Sequence, residues 1–154
     1  MSEPWKHHAK VVNGFRMHYV IAGSGYPLVF LHGWPQSWYE WRKIIPALAE
    51  KFTVIAPDLR GLGDSERPLT GYDKRTLASD VYELVKSLGF SKIGLTGHDW
   101  GGAIAFYFAY DHHGRTLADS RHGARLRAQR WVNGHSPSTA LLARVLSRWH
   151  ARLG

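Results

Sequence analysis

The sequence predicts an α/β fold, a mostly parallel sheet with helices on its faces, entered through an N-terminal hairpin. Three observations predict it. Short apolar runs at residues 28–31, 52–56 and 93–95 alternate with stretches of helical periodicity, and such alternation places parallel strands beneath crossover helices. Asn13-Gly14 divides two strand-like segments near the start of the chain, a strong hairpin signal. Gly97-x-Asp99-x-Gly101 joins the last apolar strand to an apolar helix, a turn sharp enough to demand small residues on both sides of its tip.

The hairpin pairs residues 9–12 with Phe15–Ala22, in which Met17, Tyr19 and Ile21 alternate with Arg16, His18 and Val20. Gly23-Ser24-Gly25 makes a second turn. Residues 28–31, Leu-Val-Phe-Leu, are apolar without interruption, as in a strand buried on both faces. Residues 37–50 read as a helix with Trp38, Trp41, Ile45, Leu48 and Ala49 at helical spacing. Ser37 and Glu40 have the spacing of a capping box, and Pro46 predicts a kink or break. Residues 52–56 form the next strand. Asp58 and Asp64 read as turn formers, and Arg60 as a side chain equally at home in solvent. A helix opening at Asp73 or Thr76 carries Leu77, Val81, Leu84, Val85 and Leu88 on one face, with Gly89 past its end. The loops at 32–35, 57–63 and 97–101 all leave carboxyl ends of parallel strands, where ligands bind in such sheets. They are expected to converge on one site.

Composition narrows the function. The 154 residues suffice for one domain with a core, and 44% of them are hydrophobic. No cysteine is present, which excludes a disulfide framework and thiolate metal sites. Residues 1–10 are polar and lack the apolar segment of a signal peptide. No run approaches the roughly 18 apolar residues of a membrane span, so a cytoplasmic location is expected. The net charge of +8 is concentrated in residues 111–154, which hold eight Arg, no Lys and two Asp. That tail shows no DNA-binding motif, and nucleic acid is not the expected partner.

The turn at Asp99 is the G-x-S-x-G nucleophile elbow with Asp in the place of Ser. Three motifs then carry a resemblance: His32-Gly33-Trp34-Pro35 with Ser37-Trp38-Tyr39-Glu40-Trp41-Arg42, Asp58-Leu59-Arg60-Gly61-Leu62-Gly63-Asp64-Ser65, and Gly97-His98-Asp99-Trp100-Gly101-Gly102. Over about residues 1–110 the chain resembles the α/β-hydrolase fold, and within it the epoxide hydrolase branch. The resemblance implies that Asp99 is a nucleophile and that no cofactor or metal takes part. The backbone N–H groups of Trp34 and Trp100 would form the oxyanion hole. His32, Gly33, Pro35, Gly97, His98 and Gly101 would shape the site, with His32 and His98 outside proton transfer. Trp38 and Tyr39 are core residues or pocket walls, and both readings stand.

The chemistry of a carboxylate at the elbow agrees. It suits displacement at a saturated carbon, an epoxide carbon or one bearing halide, giving an alkyl ester that water then cleaves. Haloalkane dehalogenases resemble the elbow, including the Trp after Asp, but usually place Asn or Glu where this chain has Trp34. Fluoroacetate-type dehalogenases usually place Arg where it has Trp100. Both departures favour epoxide over halide as the small-molecule substrate. A simple N-cap is the other reading of Asp99, and a non-enzymatic fragment or a binding module with a basic tail is the other reading of the chain.

The resemblance stops at Asp111. The family continues with a strand, a cap bearing tyrosines, further strands, an acid and a late histidine, and none is matched in residues 111–154. His112, His113, His122, His135 and His150 follow no strand in the family's arrangement. Residues 139–153 are compatible with a helix having Leu142, Val145, Leu146 and Trp149 on one face. The chain is therefore expected to end before the cap and C-terminal strands, to be catalytically incomplete, and to leave an open apolar sheet edge prone to aggregation. The abrupt change in composition resembles translation in a wrong reading frame or a defective gene model, and the Arg-rich tail is expected to be partly helical or disordered. Sequencing the gene across codon 111 is expected to reveal, in another frame, an apolar strand, a tyrosine-bearing cap, an acid and a histidine; their absence from every frame would make the tail genuine.

Overall fold

The computed structural model describes residues 3–112 and 114–121. Strands β1 (Lys6–Val12) and β2 (Phe15–Ala22) form the expected hairpin, with Val12 opposite Phe15. Asn13 and Gly14 have φ of 44° and 80°, the two positive values that a type I′ turn requires. Next come β3 (Tyr26–Leu31), a 3-10 turn (Trp38–Trp41), α1 (Ile45–Ala49) and β4 (Phe52–Pro57). After them follow α2 (Lys74–Ser87), β5 (Ile93–His98), α3 (Trp100–Asp111) and β6 (Thr116–Arg121). The sheet order is β1-β2-β4-β3-β5-β6. β2 runs antiparallel to β4, whereas β3 is parallel to both β4 and β5.

The uninterrupted apolar run of β3 follows from this position. Val29 and Leu31 share one core with Leu77, Val81 and Leu84 of α2 and with Ile104, Ala105 and Phe108 of α3. Phe30, on the opposite face, packs its ring 5.2 Å from that of Trp41. A strand covered on both sides has no use for alternation. α2 begins where expected: the Asp73 side chain accepts from the N–H of Thr76 at 2.9 Å. No helix among the described residues is long and apolar enough to cross a membrane.

Several expectations are corrected. The helix over 37–50 is broken near Pro46 as expected, but its first piece is a 3-10 turn, and Pro46 lies in the first turn of α1, where a missing N–H forfeits no intrahelical bond. The capping box does not close. Ser37 Oγ accepts from the N–H of Tyr39 at 3.4 Å, but the Glu40 carboxylate turns to His98, 3.2 Å away. Arg60 is not solvated. It is 8% exposed and donates through Nε and Nη2 to both oxygens of fully buried Asp80, each at 2.8 Å. Asp58 is more than a turn former. Buried, it accepts from the N–H of Trp38 at 2.7 Å, the N–H of Asp64 at 2.9 Å and Nδ1 of His18 at 2.8 Å. Burial pushes its carboxyl up, but these donors outweigh that and hold it below the usual range.

The largest correction lies after α3. Thr116–Arg121 pairs in parallel with β5, Ile93 opposite Thr116 and His98 opposite Arg121. A strand therefore follows the elbow helix, and the edge of β5 is not open. The sequence Thr-Leu-Ala-Asp-Ser-Arg hid it because ladder bonds use backbone groups and an outer strand need not be apolar on both faces. His112 stacks on Tyr82 with ring centroids 3.7 Å apart. The helix expected over 139–153 and His113, His122, His135 and His150 lie outside the described residues. Removing one partner of a buried ion pair strands the other charge, at a cost of about 3–5 kcal/mol. Asp80→Ala is expected to lose stability on that scale in urea unfolding, and replacing both Arg60 and Asp80 by Leu to lose less.

Candidate active site

Strand β5 ends at His98, and Asp99 takes φ 53° and ψ −116° before α3 begins. A non-glycine residue in such a conformation costs of order 1–3 kcal/mol and persists only where its surroundings enforce it. The surroundings here are glycines. A Cβ on Gly97 would lie 2.1 Å from the carbonyl oxygen of Gly101, and one on Gly101 would lie 2.1 Å from that of Leu31. A Cβ on Gly33 would lie 2.7 Å from Cβ of Asp99. Gly97, Gly101 and Gly33 thus let the end of β5, the start of α3 and the loop after β3 touch at backbone distance. Asp99 occupies the N-cap position but makes no side-chain capping bond, so the simple N-cap reading fails.

The freed carboxylate meets the loop after β3. The N–H of Trp34 donates to Asp99 Oδ2 at 3.0 Å. The N–H of Trp100 faces the same carboxylate and also stabilises its charge. These two groups, in that order, hold the Asp99 carboxyl below the ordinary aspartate value of 3.8, against a smaller opposing effect of burial; His98 and Lys74 add to the depression.

The loop is fixed by His32, which is fully buried. Its Nδ1 donates to the carbonyl of Gly33 at 2.9 Å, and its Nε2 accepts from the N–H of Leu59 at 3.0 Å. One nitrogen donates and the other accepts, so the ring is the neutral Nδ1–H tautomer. Burial pushes its pKa down, which keeps it so. Gln36 Oε1 accepts from the N–H of Gly33 at 3.0 Å. The Trp34–Pro35 peptide is cis.

An open cavity of about 270 Å³ is lined by Trp34, Gln36, His98 and Asp99. The structure thus brings together the nucleophile candidate, both backbone donors, His32, Gly33, Pro35, Gly97, His98 and Gly101. Neither Trp38 nor Tyr39 is among the residues lining this cavity. Trp38 is 8% exposed, its ring 5.2 Å from that of Trp5, while Tyr39 is 55% exposed with the Arg42 guanidinium 4.1 Å above its ring. Gln36 and Glu40 were missed as site residues. Gln36 stands directly after Pro35 in the motif, and its place beside the loop glycine was the available signal. Glu40 matched a cap so well that its reach to His98 left no trace in the sequence.

Residues 26–121 match the family described as alpha/beta hydrolase fold. The chain belongs to that family. It is 74% identical over 111 residues to a soluble epoxide hydrolase of Corynebacterium sp. (strain C12), a match covering 72% of this chain and 39% of that protein. It is 43% identical over 98 residues to a fluoroacetate dehalogenase of Burkholderia sp., covering 60% and 32%. A solved structure of an epoxide hydrolase without ligand superposes with a TM-score of 0.72 at 71% identity, covering 73% of this chain and 40% of that one. The chain therefore spans about two fifths of the length of its epoxide hydrolase relative.

A depressed folded-state pKa favours the ionised form, so the benefit is present above the unfolded value and lost as pH falls through the native one. Carboxyl ¹³C NMR is expected to show Asp99 titrating below 3.8 and remaining charged from pH 5 to 8; a midpoint above 3.8 would contradict the donor arrangement.

Proposed function

We propose that this chain carries the nucleophilic half of an epoxide hydrolase site, acting on a small-molecule epoxide in the cytoplasm, with Asp99 as nucleophile. The observation that carries the reading is the Trp34 N–H donating to Asp99 Oδ2 at 3.0 Å. One carboxylate oxygen rests where an oxyanion would later form, and the other is free to attack.

In the first step an Asp99 oxygen bonds to an epoxide carbon, the ring C–O bond breaks, and the ring oxygen keeps the electron pair and takes a proton. In the second step water adds to the ester carbonyl. Negative charge collects on its oxygen, between the N–H groups of Trp34 and Trp100. The ester bond breaks, the alcohol leaves with a proton, and a diol and the Asp99 carboxylate result. His32 has both ring nitrogens engaged and serves to hold the loop. No described residue is assigned as the base for the second step, so we read this chain as supporting ester formation more readily than turnover.

A second reading, displacement of halide from a haloacid or haloalkane, is favoured by the similarity to a fluoroacetate dehalogenase. It uses the same first step with halide as the leaving group. Incubation with styrene oxide followed by intact-mass analysis is expected to show one adduct, mapped by proteolysis to Asp99 and absent from Asp99→Asn. An adduct with fluoroacetate accompanied by fluoride, and none with styrene oxide, would favour the second reading. No adduct with either would leave the non-enzymatic reading.

A further inference from the structure

Lys74 occupies an unfavourable place for a cation. It is the first residue of α2, directly after the N-cap Asp73, where the helix dipole presents its positive end. Lys86 in the last turn shows the opposite, favourable placement. Lys74 is nevertheless half-buried, with its ammonium 2.9 Å from the centroid of the Trp100 ring. An ammonium over an indole face is attracted by the ring quadrupole. The Trp100 ring in turn lies 5.4 Å from that of Trp34, tilted by 30°. The two residues whose backbone N–H groups face Asp99 thus also pack their side chains together, and Lys74 is seated on one of them.

We propose that Lys74 is a positioning residue of this site: its ammonium anchors the Trp34–Trp100 pair whose N–H groups face Asp99, and holds a positive charge on the ring next to that carboxylate, beyond direct ion-pair distance. The proposal rests on the reading of Asp99 as the residue esterified. The titratable groups whose fields reach Asp99 are Lys74 from α2, His98 beside it on β5, and Glu40 from the 3-10 turn, the carboxylate of the last opposing Lys74.

Charge balance makes the effect specific to one step. Ester formation removes the negative charge from Asp99, so a neighbouring cation stabilises the starting carboxylate and does not speed attack. Ester cleavage creates negative charge on the carbonyl oxygen from a neutral ester, and there the same cation lowers the barrier. Lys74 thus raises the rate of cleavage relative to formation. Its aromatic seat also opposes its loss from the site, despite the burial that pushes its own pKa down.

The full chain and its Lys74→Met and Lys74→Arg variants provide the test. Met keeps the stem without charge, and Arg keeps charge over the ring. The styrene oxide adduct is formed, excess epoxide is removed, and hydroxylamine is added. Its nitrogen attacks the ester carbonyl carbon, the bond from that carbon to the alkoxy oxygen breaks, and the departing alkoxide takes the proton that nitrogen loses, leaving a hydroxamate at Asp99. The ratio of cleavage to formation rates is expected to fall about two- to fivefold in Lys74→Met, the scale of a solvent-screened charge interaction, and to recover in Lys74→Arg. In parallel, ¹³C NMR is expected to place the Asp99 midpoint higher in Lys74→Met and near wild type in Lys74→Arg. An unchanged ratio and midpoint in folded Lys74→Met would overturn the proposal. If wild-type protein takes no adduct, the esterification reading fails, and the Asp99 midpoint alone decides whether Lys74 holds its charge beside the carboxylate.

Discussion

α3 starts at backbone distance from the end of β3. Gly101 passes so near Leu31 that a single added carbon would sit 2.1 Å from its carbonyl oxygen. Much of the site depends on that contact. It sets the helix start beneath the strand end, forces the chain at Asp99 into a positive φ, and aims the carboxylate at the loop leaving β3. Relaxing it by an ångström would separate Asp99 from the Trp34 N–H, since hydrogen bonds weaken steeply beyond their normal range. The strain at Asp99 is thus held by two glycines behind it and a satisfied donor in front.

A second set of interactions holds the loop after β4. Asp58 gathers β2 through His18, the 3-10 turn through the N–H of Trp38, and its own loop through the N–H of Asp64. His7 extends the chain outward, its Nδ1 3.0 Å from His18 Nε2; β1 is ordered by this contact and by its ladder to β2. Arg60 and Asp80 tie the same loop to α2, and Asn13 of the hairpin turn donates to Asp80 at 2.8 Å. These groups lie outside the cavity. They keep Leu59 in place to donate to His32, which keeps Gly33 and Trp34 in place to face Asp99.

Local signals made the elements around the elbow legible in the sequence. Asn13-Gly14 could form only a narrow class of turns, Phe15–Ala22 alternated, and the 97–101 spacing demanded a backbone too tight for side chains. The Trp34 and Trp100 N–H groups that face Asp99 were legible only through resemblance, because a backbone N–H leaves no mark on residue identity. Arg60 and Asp80 escaped because twenty residues separate two charges, each plausible on a surface. Glu40 misled because a cap and a site contact ask for the same residue type. β6 escaped because the ladder that defines it is made by backbone atoms, whatever the side chains.

The sheet order has a consequence in time. β3 is flanked by β4 and β5, both made after it, and Trp34 precedes its partner Asp99 by 65 positions. As the chain leaves the ribosome, the donor loop and the apolar strand beneath it emerge first and wait, with one edge of β3 unsatisfied until residues near 100 are made. Pairings between such distant segments form slowly, and the waiting surface is open to wrong partners. A nascent chain stalled between β4 and β5 would hold the Trp34 donor without the Asp99 carboxylate it meets, together with a bare, greasy strand edge for chaperones to guard.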